Sequence, residues 1–201
     1  TVRLELEFGL SDRLMTALYL NFRGLDRDVA GARTGSIQFD GVSSEWKYKL
    51  MDPVADGLGL GLYGEATAAP HEVELEAKLL LDKRLGNLLL ALNLVGEHEW
   101  TFDIGEGERE AVVEVDVGAA YFLTPQLSVG LEMRNHNLFL NGAFQHSALF
   151  AGPVLAYTEQ GWWAALSVMP QLPALAGASS GPLVLNELEK VQSRLLLSFH
   201  L

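Results

Sequence analysis

The chain has 201 residues, of which 49% are hydrophobic and 20% charged, and it carries 26 acidic against 14 basic side chains. The formal charge of -12 argues against a nucleic-acid partner, because phosphate binding requires a basic surface. The absence of cysteine excludes disulfides, thiolate metal sites and cysteine nucleophiles. No apolar stretch reaches the length of about 18 residues that a transmembrane helix needs.

Apolar and polar residues alternate along almost the whole chain, which predicts β-strands, and helical periodicity is nearly absent. Residues 2–8 alternate, a GLSDR turn follows, and residues 14–23 alternate again. Residues 24–35 are predicted to be a polar, glycine-containing loop. Between Phe39 and Val42 the apolar positions change parity, which indicates one extra residue in a β-bulge.

The alternation continues through the middle and the end of the chain. Further strands are predicted at 36–50, 58–62, 72–82, 88–99, 111–121, 127–134, 148–157, 162–170 and 190–201. Short connections are predicted at 10–12, 51–56, 83–86, 123–125 and 158–161. Mostly longer, more polar connections are predicted at 24–35, 67–70, 101–109, 137–145 and 171–187. These elements give about eleven strands and no helix in a single all-β domain, residues 1–201.

Alternation alone does not say which face of such a sheet points inward. A lipocalin-like barrel encloses its apolar side chains, whereas an outer-membrane barrel presents them to lipid. The alternation of short and longer connections favours the membrane barrel, as do strands of about ten residues or more. Aromatic residues near strand ends are typical of a membrane interface, and the candidates are Trp46, Tyr121, Tyr157, Trp162 and Phe199. We therefore predict an antiparallel, up-and-down transmembrane β-barrel.

In such a barrel the charged set of side chains would line the lumen. The predicted acidic lining is Glu5, Glu7, Glu72, Glu74, Glu76, Glu97, Glu99, Glu114, Asp116 and Glu132. The predicted basic lining is Arg3, Lys47, Lys49, Lys78, Arg134 and Arg194. Two interpretations have equal weight: an acidic lumen that attracts cations, or a lumen closed by ion pairs that stiffen the wall.

Several segments resemble Gram-negative outer-membrane β-barrels. The segments FGLSDRLMTALYLNF and YFLTPQLSVGLEM are similar to turn-strand units of the uncharacterised barrels of the aromatic-degradation meta-pathway type. The segment GPVLAYTEQGWWAALSVMPQL resembles a hairpin that recurs in such proteins. The terminal LLLSFHL resembles the signal that the barrel-assembly machinery binds, although it ends on Leu201 rather than on phenylalanine. The resemblance implies a barrel in the Gram-negative outer membrane, in contact with its lipid, and no particular substrate.

No constellation of residues predicts an enzyme, a metal site or a cofactor. His146 and Ser147 are neighbours and would point to opposite faces of a strand, so they do not form a catalytic pair. The glycine-rich segment 57–65 lacks the following helix of a nucleotide loop and is better explained as a crowded strand. Trp162 and Trp163 are interpreted as an interfacial anchor and a lumen filler.

The sequence thus predicts a narrow passive channel or small-solute transporter whose acidic lumen prefers cations. The alternative is a structural or interaction barrel with a plugged lumen and partner-binding outer loops, and a third possibility is a soluble ligand-binding barrel. Since the first and last of eleven strands would run in the same direction, we also expect one more strand before Thr1. It would bring the barrel to twelve strands, because bacterial barrels close antiparallel with an even number.

Overall fold

The computed structural model describes residues 2–29, 32–102, 107–179 and 181–199. Within these residues the chain forms eleven strands and one antiparallel sheet in which each strand pairs with the next along the chain. The strands are β1 (Val2–Gly9), β2 (Leu14–Val29), β3 (Ala32–Met51), β4 (Gly59–Ala69), β5 (Glu72–Leu85), β6 (Leu88–Thr101), β7 (Arg109–Phe122), β8 (Leu127–Leu140), β9 (Ala143–Glu159), β10 (Trp162–Ala176) and β11 (Val191–Phe199).

The sheet curls into a half-barrel, and the prediction of an all-β, up-and-down antiparallel fold of eleven strands is confirmed. The predicted β-bulge is also confirmed: Asn21 pairs with Gly41 and Phe22 with Phe39, so that Asp40 is the extra residue. The described residues contain no helix that is long and apolar enough to cross a membrane.

Four of the predicted longer connections are wrong in whole or in part: strands cover most of 24–35, 67–70 and 137–145, and β10 extends into 171–187. The 24–35 loop is instead a ribbon in which β2 and β3 pair as far as Val29 and Ala32. The polar composition of this segment does not exclude paired strands, because the main-chain hydrogen bonds between two strands do not depend on an apolar face. Residues 30 and 31 lie outside the described part of the chain, as do residues 103–106 of the acidic loop.

The predicted 137–145 loop is only a two-residue turn, Asn141–Gly142, with φ angles of 49° and 82°. Both values lie in the left-handed region that a type I′ hairpin turn requires, and Asn-Gly is the dipeptide that best adopts it. Strand β10 also runs further than predicted, to Ala176. Its Pro173 lies beside a register shift, which is a position where a sheet tolerates proline.

The two faces of the sheet differ in curvature. The Arg3 side chain of β1 reaches Glu65 on β4, and the Arg134 side chain of β8 reaches Gln192 on β11. Side chains of strands three apart meet only on the concave side of a curled sheet. We call this side the inner face and the opposite side the outer face. A small core of Ala148, Phe150, Met169 and Val184 lies on the inner face.

Strands β1 and β11 are the two edges of the sheet and run in the same direction. Among the described residues no pairing joins these two strands. An additional strand before Thr1 therefore stays a prediction.

Candidate functional site

The strand register brings all sixteen predicted charged residues to the inner face. Residues that lie directly opposite each other on paired strands share a face of the sheet, so the pairings can be followed from strand to strand. Glu76 lies opposite Glu97, and Asp116 lies opposite Arg134. Whether the inner face encloses a lumen stays a prediction.

Strands β1 to β4 carry a hydrogen-bonded network on this face. The Tyr19 hydroxyl lies within hydrogen-bond distance of two carboxylates, Glu5 at 2.9 Å and Glu45, and its single proton is donated to one of them at a time. The Arg3 guanidinium lies 4.1 Å from the Tyr19 ring centroid and pairs with Glu65. Glu45 and Glu65 are buried, with 3% and 6% of their surface exposed. Buried carboxylates of this kind need charged or hydrogen-bonding partners, and here each has both.

The network extends to β5 through Tyr63. The Tyr63 hydroxyl donates to Glu65, and the Lys78 ammonium lies 4.4 Å from the Tyr63 ring centroid. Lys78 also pairs with Glu76 at 2.8 Å. Glu45 is paired in turn with Lys47. Tyr19 and Tyr63 thus contact cations through their ring faces and carboxylates through their hydroxyls.

A second network lies on β7 and β8. Arg134 is mostly buried and places its Nε atom 3.4 Å from Asp116 and 3.7 Å from Glu114. Glu114 also bonds the His136 Nδ1 atom at 2.8 Å. One cation therefore serves two carboxylates on the same strand, which makes Arg134 the central charge of this region.

The acidic residues between the two networks have a different environment. Carboxylate oxygens of Glu72, Glu74 and Glu99 lie within 4.8 Å of one another, and Glu97 lies opposite Glu76 on the next strand. No ion pair reaches Glu72, Glu74, Glu97 or Glu99 from the part of the chain that the structure describes. Oxygen ligands at this spacing suit hard cations such as Ca²⁺ or Mg²⁺. We call Glu72, Glu74, Glu97 and Glu99 the acidic patch.

The outer face is apolar and exposed along every strand. Its exposed side chains include Leu6, Leu18, Leu62, Leu75, Leu94, Val113, Leu131, Leu155, Leu166 and Leu195. The five predicted interface aromatics, Trp46, Tyr121, Tyr157, Trp162 and Phe199, also lie on this face. All five are near the strand ends that the 10–13, 52–58, 86–87, 123–126 and 160–161 connections join. Tyr157 and Trp162 pack together with ring centroids 5.6 Å apart.

A second set of aromatics marks the other end of the strands on the outer face. Phe22 contacts Phe39 and Phe139 contacts Phe144, with ring centroids 5.9 and 5.5 Å apart. Val129, which lies opposite Tyr121, is ten residues from Phe139 on β8. At about 3.4 Å per residue and the tilt of about 40° that is typical of membrane barrels, these two positions on β8 would be about 26 Å apart along a barrel axis.

The histidine and serine of the QHS segment lie on opposite faces, as predicted. His146 points inward and bonds Glu187 at 3.0 Å, whereas the Ser147 hydroxyl accepts a hydrogen bond from Asn135 at 2.9 Å. Trp162 lies opposite Phe199 on the outer face, and Trp163 lies opposite Ser198 on the inner face.

Sequence reasoning missed several inner-face residues. Tyr63 and Glu65 lie in the glycine-rich segment 57–65, which is predicted to be a strand, but the glycines at 59 and 61 give no indication that its second face is polar. The available signal was the pair of polar groups at alternate positions, the Tyr63 hydroxyl and the Glu65 carboxyl, which predicts a shared polar face. Gln171 and Glu187 were missed because both fall in the predicted 171–187 connection, where the sequence has no periodicity to read, although Gln171 lies on β10.

The whole chain, residues 1–201, matches the family of unknown function DUF6662, and the chain belongs to that family. No curated protein matches the chain. Since family membership assigns no chemistry, the geometry of the two faces is what supports a function.

Proposed function

We propose that the protein is a β-barrel of the Gram-negative outer membrane and acts as a narrow passive channel for small cationic solutes. One observation carries the proposal: the exposed outer face is apolar on every strand, while the ion pairs and buried carboxylates lie on the inner face. A soluble ligand-binding barrel has the opposite arrangement, with apolar residues inside.

Water is an unfavourable solvent for this outer face. Complete burial of a leucine side chain is worth about 1.5–3 kcal/mol, so ten exposed leucines and valines would favour transfer into lipid strongly. The spacing of about 26 Å between the aromatic positions on β8 agrees with an apolar band about 25 Å tall in outer-membrane barrels. These features support lipid as the partner of the outer face. Strand β11 would then be the segment that the barrel-assembly machinery binds.

The acidic patch supports a cation-preferring lumen, because carboxylates without basic partners attract cations. The two ion-pair networks favour the second candidate, a structural barrel whose wall is stiffened and whose outer loops bind a partner. The two candidates differ in ion conductance. A channel carries a cation-selective current across a planar bilayer, and a plugged barrel does not.

The membrane assignment predicts the effect of Leu94→Arg. Leu94 is exposed on the outer face of β6 and lies opposite Val115, midway between the two sets of aromatics. We expect this substitution to lower the free energy of unfolding in lipid vesicles by about 2–4 kcal/mol, because arginine is costly at the bilayer midplane. Val54→Arg in the 52–58 turn is the control, since Val54 is 91% exposed. Equal, small effects of both substitutions would contradict a lipid-facing surface.

The channel assignment predicts the effect of removing charge from the acidic patch. We expect the triple change Glu74→Gln, Glu97→Gln and Glu99→Gln to lower the ratio of cation to anion permeability about twofold or more, because the patch concentrates cations. The control for net charge removes three exposed carboxylates at or beside the turns, with Asp12→Asn, Asp56→Asn and Glu159→Gln. The measurement is the reversal potential in a salt gradient. A wild-type protein that carries no current, or one without cation preference, would contradict the channel.

A further inference from the structure

The connection between β10 and β11 folds back onto the inner face of the sheet. Its residues 181–190, which we call the strap, place Val184 in the small core against Ala148, Phe150 and Met169. Val184 is 1% exposed, which makes it one of the most buried side chains of the described chain. Burial of a connection inside the curl of the sheet is unusual, because connections normally run over the surface.

Gln171 on β10 fixes the strap through its side chain. Its amide oxygen accepts a hydrogen bond from the Val184 backbone N–H at 2.6 Å, and its amide nitrogen donates to the Val184 carbonyl at 3.1 Å. Two backbone hydrogen bonds, from Gln171 to Lys190 and from Ala174 to Pro182, secure both ends. Gln171 thus satisfies backbone groups that burial would otherwise leave without partners.

The strap also brings a carboxylate to the inner face. The Glu187 Oε2 atom lies 3.0 Å from the His146 Nδ1 atom of β9, and 41% of the Glu187 side chain remains exposed. Ala148, which contacts the strap, lies opposite His136, and His136 lies opposite Glu114. The strap therefore lies level with the ion-paired wall residues and not beyond the strand ends.

We infer that the strap is the constriction of the lumen and that Glu187 is its selectivity-determining residue for cations. This inference rests on the proposed channel function. Because the strap occupies inner-face space at the level of the ion pairs, it narrows the path that a solute would take. Its exposed carboxylate then stands at the narrowest point, where a fixed charge has the largest effect on which ions pass.

The burial of Val184 in the strap is tested by the labelling rate of an introduced cysteine. The chain contains no cysteine, so the introduced thiol is the only one that reacts. A membrane-impermeant methanethiosulfonate should label Val184→Cys far more slowly than Leu185→Cys in the folded protein in vesicles. The adjacent Leu185 is 43% exposed and is the matched control. Equal labelling rates at the two positions would overturn the seated strap.

The constriction is tested by conductance. Val184→Asn places a polar amide in the small core and should release the strap, so we expect single-channel conductance to rise about twofold or more as the path widens. Leu185→Asn, at the exposed neighbouring position, should leave the single-channel conductance unchanged. Current in the wild type with no increase in Val184→Asn overturns the strap inference but leaves the channel intact. If neither protein carries current, the channel proposal fails and the inference fails with it. Current in Val184→Asn alone would mean that the strap closes the lumen completely, which overturns the wild-type channel and with it the constriction.

The role of Glu187 is tested by replacing its charge chemically. Glu187→Cys should reduce cation preference, a sulfonatoethyl methanethiosulfonate should restore it, and a trimethylammonioethyl methanethiosulfonate should reduce it further. Glu189→Cys is the matched control, because Glu189 is an acidic residue of the same strap. Gln171 bonds the backbone carbonyl of Glu189, which the substitution leaves in place. Reversal potentials that respond equally at both positions would overturn the assignment of Glu187.

Discussion

At the scale of single residues, the inner-face carboxylates fall into two groups. Glu45, Glu65 and Glu114 have charged or hydroxyl partners, whereas the acidic patch has no basic partner within the described residues. Paired buried charges contribute little net stability, but removing one partner is costly because the other remains desolvated. The paired group should therefore report on stability and the acidic patch on ion preference.

Arg134→Met is expected to lower the free energy of unfolding by about 2–4 kcal/mol, because Glu114 and Asp116 would lose their shared cation while partly buried. Arg134→Lys should lower the free energy of unfolding by less, since lysine keeps the positive charge. Arg13→Met, at an exposed turn position, should stay within about 0.5 kcal/mol. Urea unfolding in detergent measures the three variants. A small effect of Arg134→Met would show that the carboxylates do not depend on Arg134.

A pH-dependent effect is expected at Asp52 in the 52–58 turn. Hydrogen bonds from Lys49 and from the Val54 and Ala55 backbone hold the pKa of Asp52 below its usual range. A lowered folded-state pKa adds stability above the unfolded-state pKa, and this stability is lost as the pH falls through the folded value. Asp52→Asn should therefore be less stable than the wild type at neutral pH and equal to it in strong acid. A difference that does not change with pH would contradict this role.

At the scale of elements, alternation was sufficient to predict most of the strands and that the sixteen charged residues share one face of the sheet. This works because side-chain direction in a strand depends only on parity. Alternation was not sufficient for the connections. Asn141–Gly142 carried a turn signal of its own, but the polar residues around it suggested a loop. Cross-strand partners such as Arg3 and Glu65 depend on curvature, which parity does not encode. The sequence of the strap has no apolar periodicity from which its position could be predicted. Its position depends on the Gln171 side chain and on the small core.

Gly152 tests the contact between β9 and β10. A Cβ atom at this inner-face position would lie 1.9 Å from the Val168 carbonyl oxygen, so the two strands would have to separate. Gly152→Ala should lower the free energy of unfolding by about 1–3 kcal/mol or more, as overpacking does. Gly96→Ala is the control, because no atom lies within 4 Å of its added Cβ. Unfolding of the two variants in urea distinguishes them, and equal stability would show that β9 and β10 do not approach this closely.

At the scale of the whole molecule, the polar and apolar residues lie on opposite faces of one sheet, whereas a soluble domain buries most of its apolar residues in a single hydrophobic core. The inner face holds charge pairs, a small core and the strap, while the outer face leaves its leucines and valines exposed. Such a distribution is stable only if another phase covers the outer face. The aromatic residues at both strand ends agree with a bilayer as that phase, because tryptophan and tyrosine favour its interfaces.

Trp162 and Trp163 test this orientation directly, because they are adjacent and lie on opposite faces. In two single-tryptophan variants, with the other three tryptophans changed to phenylalanine, acyl chains brominated close to the headgroup should quench Trp162 fluorescence strongly. They should quench Trp163 weakly, because the sheet separates it from lipid. Both residues are half-buried, so general exposure does not explain a difference between them. Equal quenching of the two variants would mean that lipid does not distinguish the faces, and the membrane assignment would then fail.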